Sequence, residues 1–85
     1  MDEKFQVVDP EFKTTGDYVS FTIVDGDRRV PARISRTALA VLDQGNNNEP
    51  AAVFERHMET IRSAAYKMRR VNPTLAMIFL ATHDF

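Results

Sequence analysis

The feature that most constrains the fold is an amphipathic segment between positions 49 and 71. Its apolar residues recur at alternating intervals of four and three, which is the period of one face of an α-helix. Pro50 suits the first turn of a helix, and Asn72-Pro73 ends the segment because a residue before proline avoids the α region. The sequence therefore predicts one long helix of about 34 Å. Its core-facing stripe consists of Phe54, Met58, Ile61, Ala65 and Met68.

Two alternating segments before this helix predict an antiparallel hairpin. Residues 18–24 and residues 28–34 both alternate between apolar and polar or charged side chains, which is the period of a half-buried strand. Asp25-Gly26 lies between them, and such a pair favours a tight turn because glycine tolerates positive φ. Pro31 cannot donate to a strand ladder, so we expect the return strand at a sheet edge or with this position facing outward.

Other local signals complete the predicted order of elements. Ser35 is a good N-cap for a short helix over residues 36–44, and Gly45 suits the position that ends it. Residues 75–81 are all apolar and predict a last strand covered on both faces. Residues 1–15 form an N-terminal segment that the pattern determines poorly, with an optional extra strand.

These signals predict a single α+β domain over residues 1–85. We expect an antiparallel sheet of three or four strands, in the order (β)ββααβ, with the short and the long helix packed on one face. The helices can cover only one face of the sheet, whereas the predicted last strand is apolar on both. Either the N-terminal segment around residues 5–12 or a second copy of the chain must cover the other face. We predict a homodimer, the commonest closed assembly.

The amino-acid composition excludes several classes of function. The chain has no cysteine, which excludes disulfides, thiolate catalysis and cysteine-ligated metal. The 11 basic and 12 acidic residues give a formal net charge of −1, so no global field draws the protein to nucleic acid or an anionic membrane. The N-terminus resembles no secretory signal, and no apolar run is long enough to span a bilayer. We expect a cytoplasmic protein without membrane contact.

No residue pattern specifies a reaction or a cofactor. His57 has Val53 and Ile61 four residues away, so it lacks the helical partner of a zinc pair. His83 stands beside Asp84 near the end of the chain, and the sequence has neither a nucleophile elbow nor a glycine-rich phosphate loop. The sequence therefore predicts no enzyme, no metal site and no cofactor site.

The best candidate surface is the basic second half of the long helix. Cations with an interleaved tyrosine can contact phosphates and stack a base. Cations near a helix C-terminus also stabilise the helix dipole, so the same pattern fits a solvated face without a ligand. The candidate surface patch consists of Arg56, Arg62, Tyr66, Lys67, Arg69 and Arg70.

The overall pattern resembles a small bacterial family, domain of unknown function 1488, over roughly three quarters of the chain. The resemblance implies a short α+β domain in bacteria and transfers no activity and no functional residue. It rests on Val19-Ser20-Phe21, Ile34-Ser35-Arg36-Thr37-Ala38-Leu39, Phe54-Glu55, Ile61, Ala64-Ala65-Tyr66-Lys67 and Asp84-Phe85.

Together these observations predict a non-enzymatic bacterial accessory domain that acts through protein–protein contacts as a homodimer. The alternative is nucleic-acid binding through the basic end of the long helix, residues 62–70. The first hypothesis requires an exposed apolar patch on the sheet, and the second requires a contiguous positive face.

Overall fold

The computed structural model describes residues 4–12 and 16–85, and it has an α+β fold with one four-stranded sheet. Residues 1–3 and 13–15 of the predicted N-terminal segment lie outside the described residues. The strands lie in the order β1-β2-β3-β4. The elements are β1 (Phe5–Glu11), β2 (Tyr18–Asp25), β3 (Arg28–Ser35), α1 (Arg36–Leu42), α2 (Pro50–Arg56), α3 (Met58–Val71), β4 (Ile78–Leu80) and a final 3₁₀ turn (Thr82–Asp84).

The predicted hairpin is confirmed. β2 and β3 pair antiparallel from Asp25 opposite Arg28 to Tyr18 opposite Ser35. Gly26 adopts φ +65° in the turn, a conformation that glycine reaches without steric cost. The optional first strand also forms, as β1, and pairs antiparallel with β2.

The entirely antiparallel sheet that we predicted is wrong at its last strand. β4 lies parallel to β3, with Ile78 opposite Ala32 and Leu80 opposite Ile34. The chain between these strands contains the helices and returns to the end of the sheet where β3 begins, which is the crossover that parallel neighbours require. β3 is therefore not an edge strand. Pro31 faces outward and lies one residue before Ala32, where the pairing with β4 begins.

The last strand is also shorter than predicted, because only Ile78–Leu80 of residues 75–81 joins the sheet. Ile78 and Leu80 are buried under the helices, whereas Met77 and Phe79 are exposed. The two apolar faces predicted for this strand thus have different surroundings, and only one of them is covered within the described chain.

The single long helix that we predicted is divided at His57. This residue has φ −107° and ψ 21°, outside the α region, and separates α2 from α3. The sequence has neither glycine nor proline there, so no local signal marks the break. Each helix buries a short apolar stripe, which consists of Val53 and Phe54 in α2 and of Ile61 and Ala65 in α3.

One apolar core joins the helices to the inner face of the sheet. Phe54 is completely buried and meets the ring of Phe21 edge-on, with 5.3 Å between ring centroids. Phe12, at the end of β1, packs edge-on against Phe54 from the rim at 5.7 Å. Ser35 caps α1 as predicted, since its hydroxyl accepts a hydrogen bond of 3.1 Å from the Ala38 N–H. The helices are therefore fixed to one face of the sheet, and the other face is left open.

Candidate functional site

The outer surface of the sheet, which we call the open face, has no covering element in the described chain. Side chains alternate along each strand, so the residues between the buried ones point away from the helices. The first strand lies within the sheet and not across it, so its described residues do not cover this face. The open face consists of Gln6, Val8, Tyr18, Ser20, Thr22, Val24, Arg29, Pro31, Arg33 and Phe79.

An apolar patch lies at the β4 side of the open face. Phe79 is 42% exposed and Met77, just before β4, is 37% exposed. Phe79 stands opposite Arg33 in the parallel register. Large apolar side chains at a strand on the sheet edge are unusual for a surface that faces only water, since edges are normally short or charged.

Two arginines give the open face its charge pattern. The Arg33 guanidinium lies 4.4 Å from the centroid of the Tyr18 ring, a cation–π contact that fixes both side chains. Arg29 donates to the Asp9 carboxylate at 2.9 Å, in an ion pair with both side chains largely exposed. Glu11 on β1 extends the row that Ser20, Arg33 and Phe79 form across the sheet. The face therefore has an acidic end and a basic, aromatic end.

A shallow groove of about 680 Å³ follows this face. The outward hydroxyl-bearing residues Ser20 and Thr22 and the ring of Pro31 line its middle, with Arg33 and Met77 on one side. Among the described residues no histidine lines it, and the acidic residues of its lining, Asp9 and Glu11, lie at the β1 side. The groove is therefore shallow, with charged residues at both sides and hydroxyl-bearing residues between them.

Two members of the predicted basic patch are bound internally. Arg62 donates through Nε to the Phe5 carbonyl at 2.7 Å and pairs with Glu59 at 3.4 Å. Arg69 is buried, and it donates through Nε to the Asp25 carboxylate at 3.0 Å and through Nη1 to the Pro73 carbonyl at 2.7 Å. Both side chains fasten α3 to the sheet and its connections.

The other members of the patch do not form one cluster. Arg70 donates to the Tyr66 hydroxyl at 3.2 Å, and this hydrogen bond raises the pKa of the Arg70 guanidinium above its ordinary value. The Tyr66 ring packs edge-on against Phe5 at 5.1 Å, so it is partly buried and not free to stack on a base. Lys67 is exposed beside them, whereas Arg56 lies on α2 beyond the break at His57. The structure brings Tyr66, Lys67 and Arg70 together and leaves Arg56 apart.

Asp43, His83 and Asp84 contact residues that are close to them in the chain. The buried Asp43 carboxylate accepts hydrogen bonds from the side-chain amide of Asn48 at 2.7 Å and its backbone N–H at 2.9 Å. These bonds, the side-chain one first, lower the pKa of Asp43 and close the loop between α1 and α2. His83 lies 3.6 Å from Asp84. Residues 4–12 and 16–85 contain no group of three residues that could hold a metal ion and no helix that could cross a membrane.

Comparison with known proteins gives one partial relative. The small ribosomal subunit protein uS7 of Vibrio atlanticus (strain LGP32) is 36% identical over 66 residues, which cover 74% of this chain. The match spans only 42% of the length of that ribosomal protein. No family model matches the chain, and no solved structure gives a significant match. The resemblance to domain of unknown function 1488 stays a prediction.

Proposed function

We propose that this chain is a non-enzymatic accessory domain of the bacterial cytoplasm that acts through protein contacts and self-associates by packing two open faces together. The observation that carries the proposal is the exposure of Phe79 and Met77 on a sheet face that no described element covers. Of the two covers that the sequence left open, β1 lies within the sheet, which favours a second copy.

The charge pattern of the open face suits a two-fold arrangement. An axis parallel to the strands, between β2 and β3, places β1 of one copy over β4 of the other. Glu11 at the β1 side then faces Phe79 and the neighbouring Arg33 of the second copy, and the same contact repeats by symmetry. The hydroxyl-bearing residues of β2, Ser20 and Thr22, then lie over Arg33 and Pro31 on β3 of the second copy. The surface is therefore complementary to itself in charge and in polarity.

The area of the open face limits the expected affinity of the proposed dimer. Strands spaced about 4.8 Å apart, with β1, β2 and β3 seven or eight residues long and β4 three, give a face of at most about 20 by 20 Å, or about 400 Å² per copy. This is about half the area of about 800 Å² per partner that specific interfaces bury. The proposed dimer is therefore weak and reversible, with a Kd in the micromolar range, about 10–100 µM.

Replacing Met77 and Phe79 together with glutamate is expected to abolish self-association. Two carboxylates on each copy would face the acidic end of the other across a desolvated contact. Sedimentation velocity from about 10 µM to about 1 mM should show a monomer–dimer equilibrium for the native chain and a monomer throughout for the variant.

Val41→Glu is the matched control, because Val41 is also apolar and 46% exposed but lies on α1, away from the open face. It should dimerise as the native chain does. A native chain that stays monomeric up to about 1 mM, or equal weakening by the Val41 variant, would refute the sheet-to-sheet dimer.

Nucleic-acid binding is a second candidate, favoured by the partial similarity to a ribosomal protein. On α3 this candidate has little support, because Arg62 and Arg69 are held by Phe5, Glu59, Asp25 and Pro73. Binding to the sheet would depend on Arg33, whose guanidinium is already stacked on Tyr18. The protein-contact proposal therefore accounts for more of the observed surface.

A further inference from the structure

The outer edge of β4 carries backbone groups that no neighbouring strand uses. β4 is the last strand of the sheet, and among residues 4–12 and 16–85 it pairs with β3 alone. Within the same ranges no backbone hydrogen bond outside that ladder reaches Ile78–Leu80. Such an edge presents N–H and C=O groups that can pair with another extended chain.

The opposite edge of the sheet is protected against such pairing. β1 has an irregularity between Val8 and Glu11, where Asp9 adopts φ +53° and Pro10 has no N–H to donate. The Phe5 carbonyl at its beginning accepts a hydrogen bond of 2.7 Å from Arg62 Nε. β4 contains neither a proline nor a charged residue, so it lacks the usual devices that block an edge.

A groove of about 580 Å³ lies beside this strand, on the side of the sheet that the helices cover. Its walls come from α3, from the connection that precedes β4 and from the turn that follows β4, so the groove extends along the strand. We call it the edge groove; its lining includes Ala64, Lys67, Met68, Val71, Leu75 and His83.

One flank of α3 forms an apolar wall of the edge groove. Arg62 and Arg69 lie on the other flank, which is fastened to the first strand and the hairpin. Ala64, Met68 and Val71 follow each other at intervals of four and three and therefore share the flank that faces the groove. Val71 is 86% exposed, so a large apolar side chain at this wall is left without a cover in the described chain.

The uncompensated charge at the edge groove is positive. Lys67 is exposed and forms no ion pair within residues 4–12 and 16–85. The Asp84 carboxylate accepts a hydrogen bond of 2.8 Å from the Ala81 N–H and lies 3.6 Å from His83, so it is already engaged. The groove is therefore complementary to an apolar chain that carries an acidic side chain.

We infer that β4 and the edge groove bind an extended, acidic segment of a partner protein, which joins the sheet as a fifth strand. Its backbone pairs with the free edge, and alternate side chains enter the groove beside Met68 and Val71. An acidic side chain of the segment faces Lys67. The inference rests on the proposed function, since it names a partner for the protein contacts, but it uses other residues than the sheet-to-sheet dimer.

A second copy of the chain cannot supply this strand from either edge of its described sheet. Ile78 and Leu80 of a second β4 are completely buried in their own core, so they have no side chain to place in the groove. A second β1 is interrupted at Asp9 and Pro10. A segment with a free backbone and two free faces meets both requirements, which favours a partner protein.

The probe for the test comes from a phage library of random peptides of about twelve residues, panned against the full chain. We expect enriched peptides with apolar residues at every second position and at least one acidic residue. The strongest binder, synthesised with a fluorescent label, is then titrated by anisotropy. Methylation of alternate backbone nitrogens in this peptide should weaken binding at least about tenfold, because it removes several strand hydrogen bonds.

Val71→Glu is the decisive variant, because this exposed side chain lines the groove. It should weaken binding of the peptide at least about tenfold, since it places a carboxylate where an apolar side chain enters. Val41→Glu makes the same change on α1, away from the groove, and should weaken binding less than about twofold.

Sedimentation velocity of the same variants separates this site from the proposed dimer. Val71→Glu should self-associate as the native chain does, and a monomeric native chain that binds the peptide would remove the dimer and keep the site. Loss of self-association in Val71→Glu would show that a second copy occupies the groove and would overturn the inference. Failure to enrich any peptide, insensitivity to backbone methylation, or equal weakening by the two variants would also overturn it.

Discussion

Replacing Phe54 with alanine is expected to lower the free energy of unfolding by about 3–5 kcal/mol, the usual cost of truncating a buried aromatic side chain. Phe54 is completely buried and lies between Phe21 of the sheet and Phe12 at the rim. Its removal leaves a cavity at the contact that fixes α2 to the sheet. Since small domains are stable by only about 5–15 kcal/mol, the variant should be close to its unfolding threshold. Urea unfolding followed by circular dichroism measures the change.

Phe12→Ala is the control for this prediction, because it removes the same ring from a position that is 40% exposed. It should cost less, since about two fifths of its area stays in contact with water in the folded chain. A loss below about 1 kcal/mol for Phe54→Ala would contradict the assignment of Phe54 to the centre of the core.

Arg69→Met is expected to cost about 2–3 kcal/mol, because it removes a buried cation and leaves two partners unsatisfied. The Arg69 side chain is only 10% exposed, whereas the Asp25 side chain is 33% exposed and keeps some contact with water. The expected cost therefore lies below that of a completely buried pair. The Pro73 carbonyl also loses its donor, which should loosen the connection after α3.

Two further variants test whether the loss of stability comes from the contacts of Arg69 and not from the removal of a positive charge alone. Lys67→Met removes an exposed cation from the same helix and should change stability by less than about 0.5 kcal/mol. The double variant Asp25→Asn with Arg69→Met should be less destabilised than the two single effects added together, since the unpaired carboxylate is gone. Equal losses for Arg69→Met and Lys67→Met would show that Arg69 is a surface residue.

Local signals in the sequence predicted the parts of the fold that depend on local chemistry. The Asp25-Gly26 turn, the Ser35 cap and the apolar faces of β2 and β3 all follow from residues close together in the chain. The parallel direction of β4 depends instead on where the helices return the chain. That requires the lengths and angles of α2 and α3, and the break at His57 has no proline or glycine to announce it.

The candidate surfaces were harder to predict, because charged side chains take their partners from distant parts of the chain. Arg69 lies four residues after the buried Ala65, so its position near the apolar stripe was visible, but its partner Asp25 is 44 residues away. The apolar outer side of the last strand was visible in Met77 and Phe79. Their position beside Arg33 depends on the parallel register. The edge groove likewise depends on the place of β4 at the end of the sheet, beside α3.

The most direct test of the proposed function is an isotope-filtered NOE measurement on a mixture of labelled and unlabelled chains at a concentration where the native protein self-associates. If two open faces pack together, methyl groups of Val8 and Thr22 in one copy should show intermolecular contacts with the Phe79 ring of the other. Intermolecular contacts confined to helix residues such as Val41 or Val71 would contradict the sheet-to-sheet dimer.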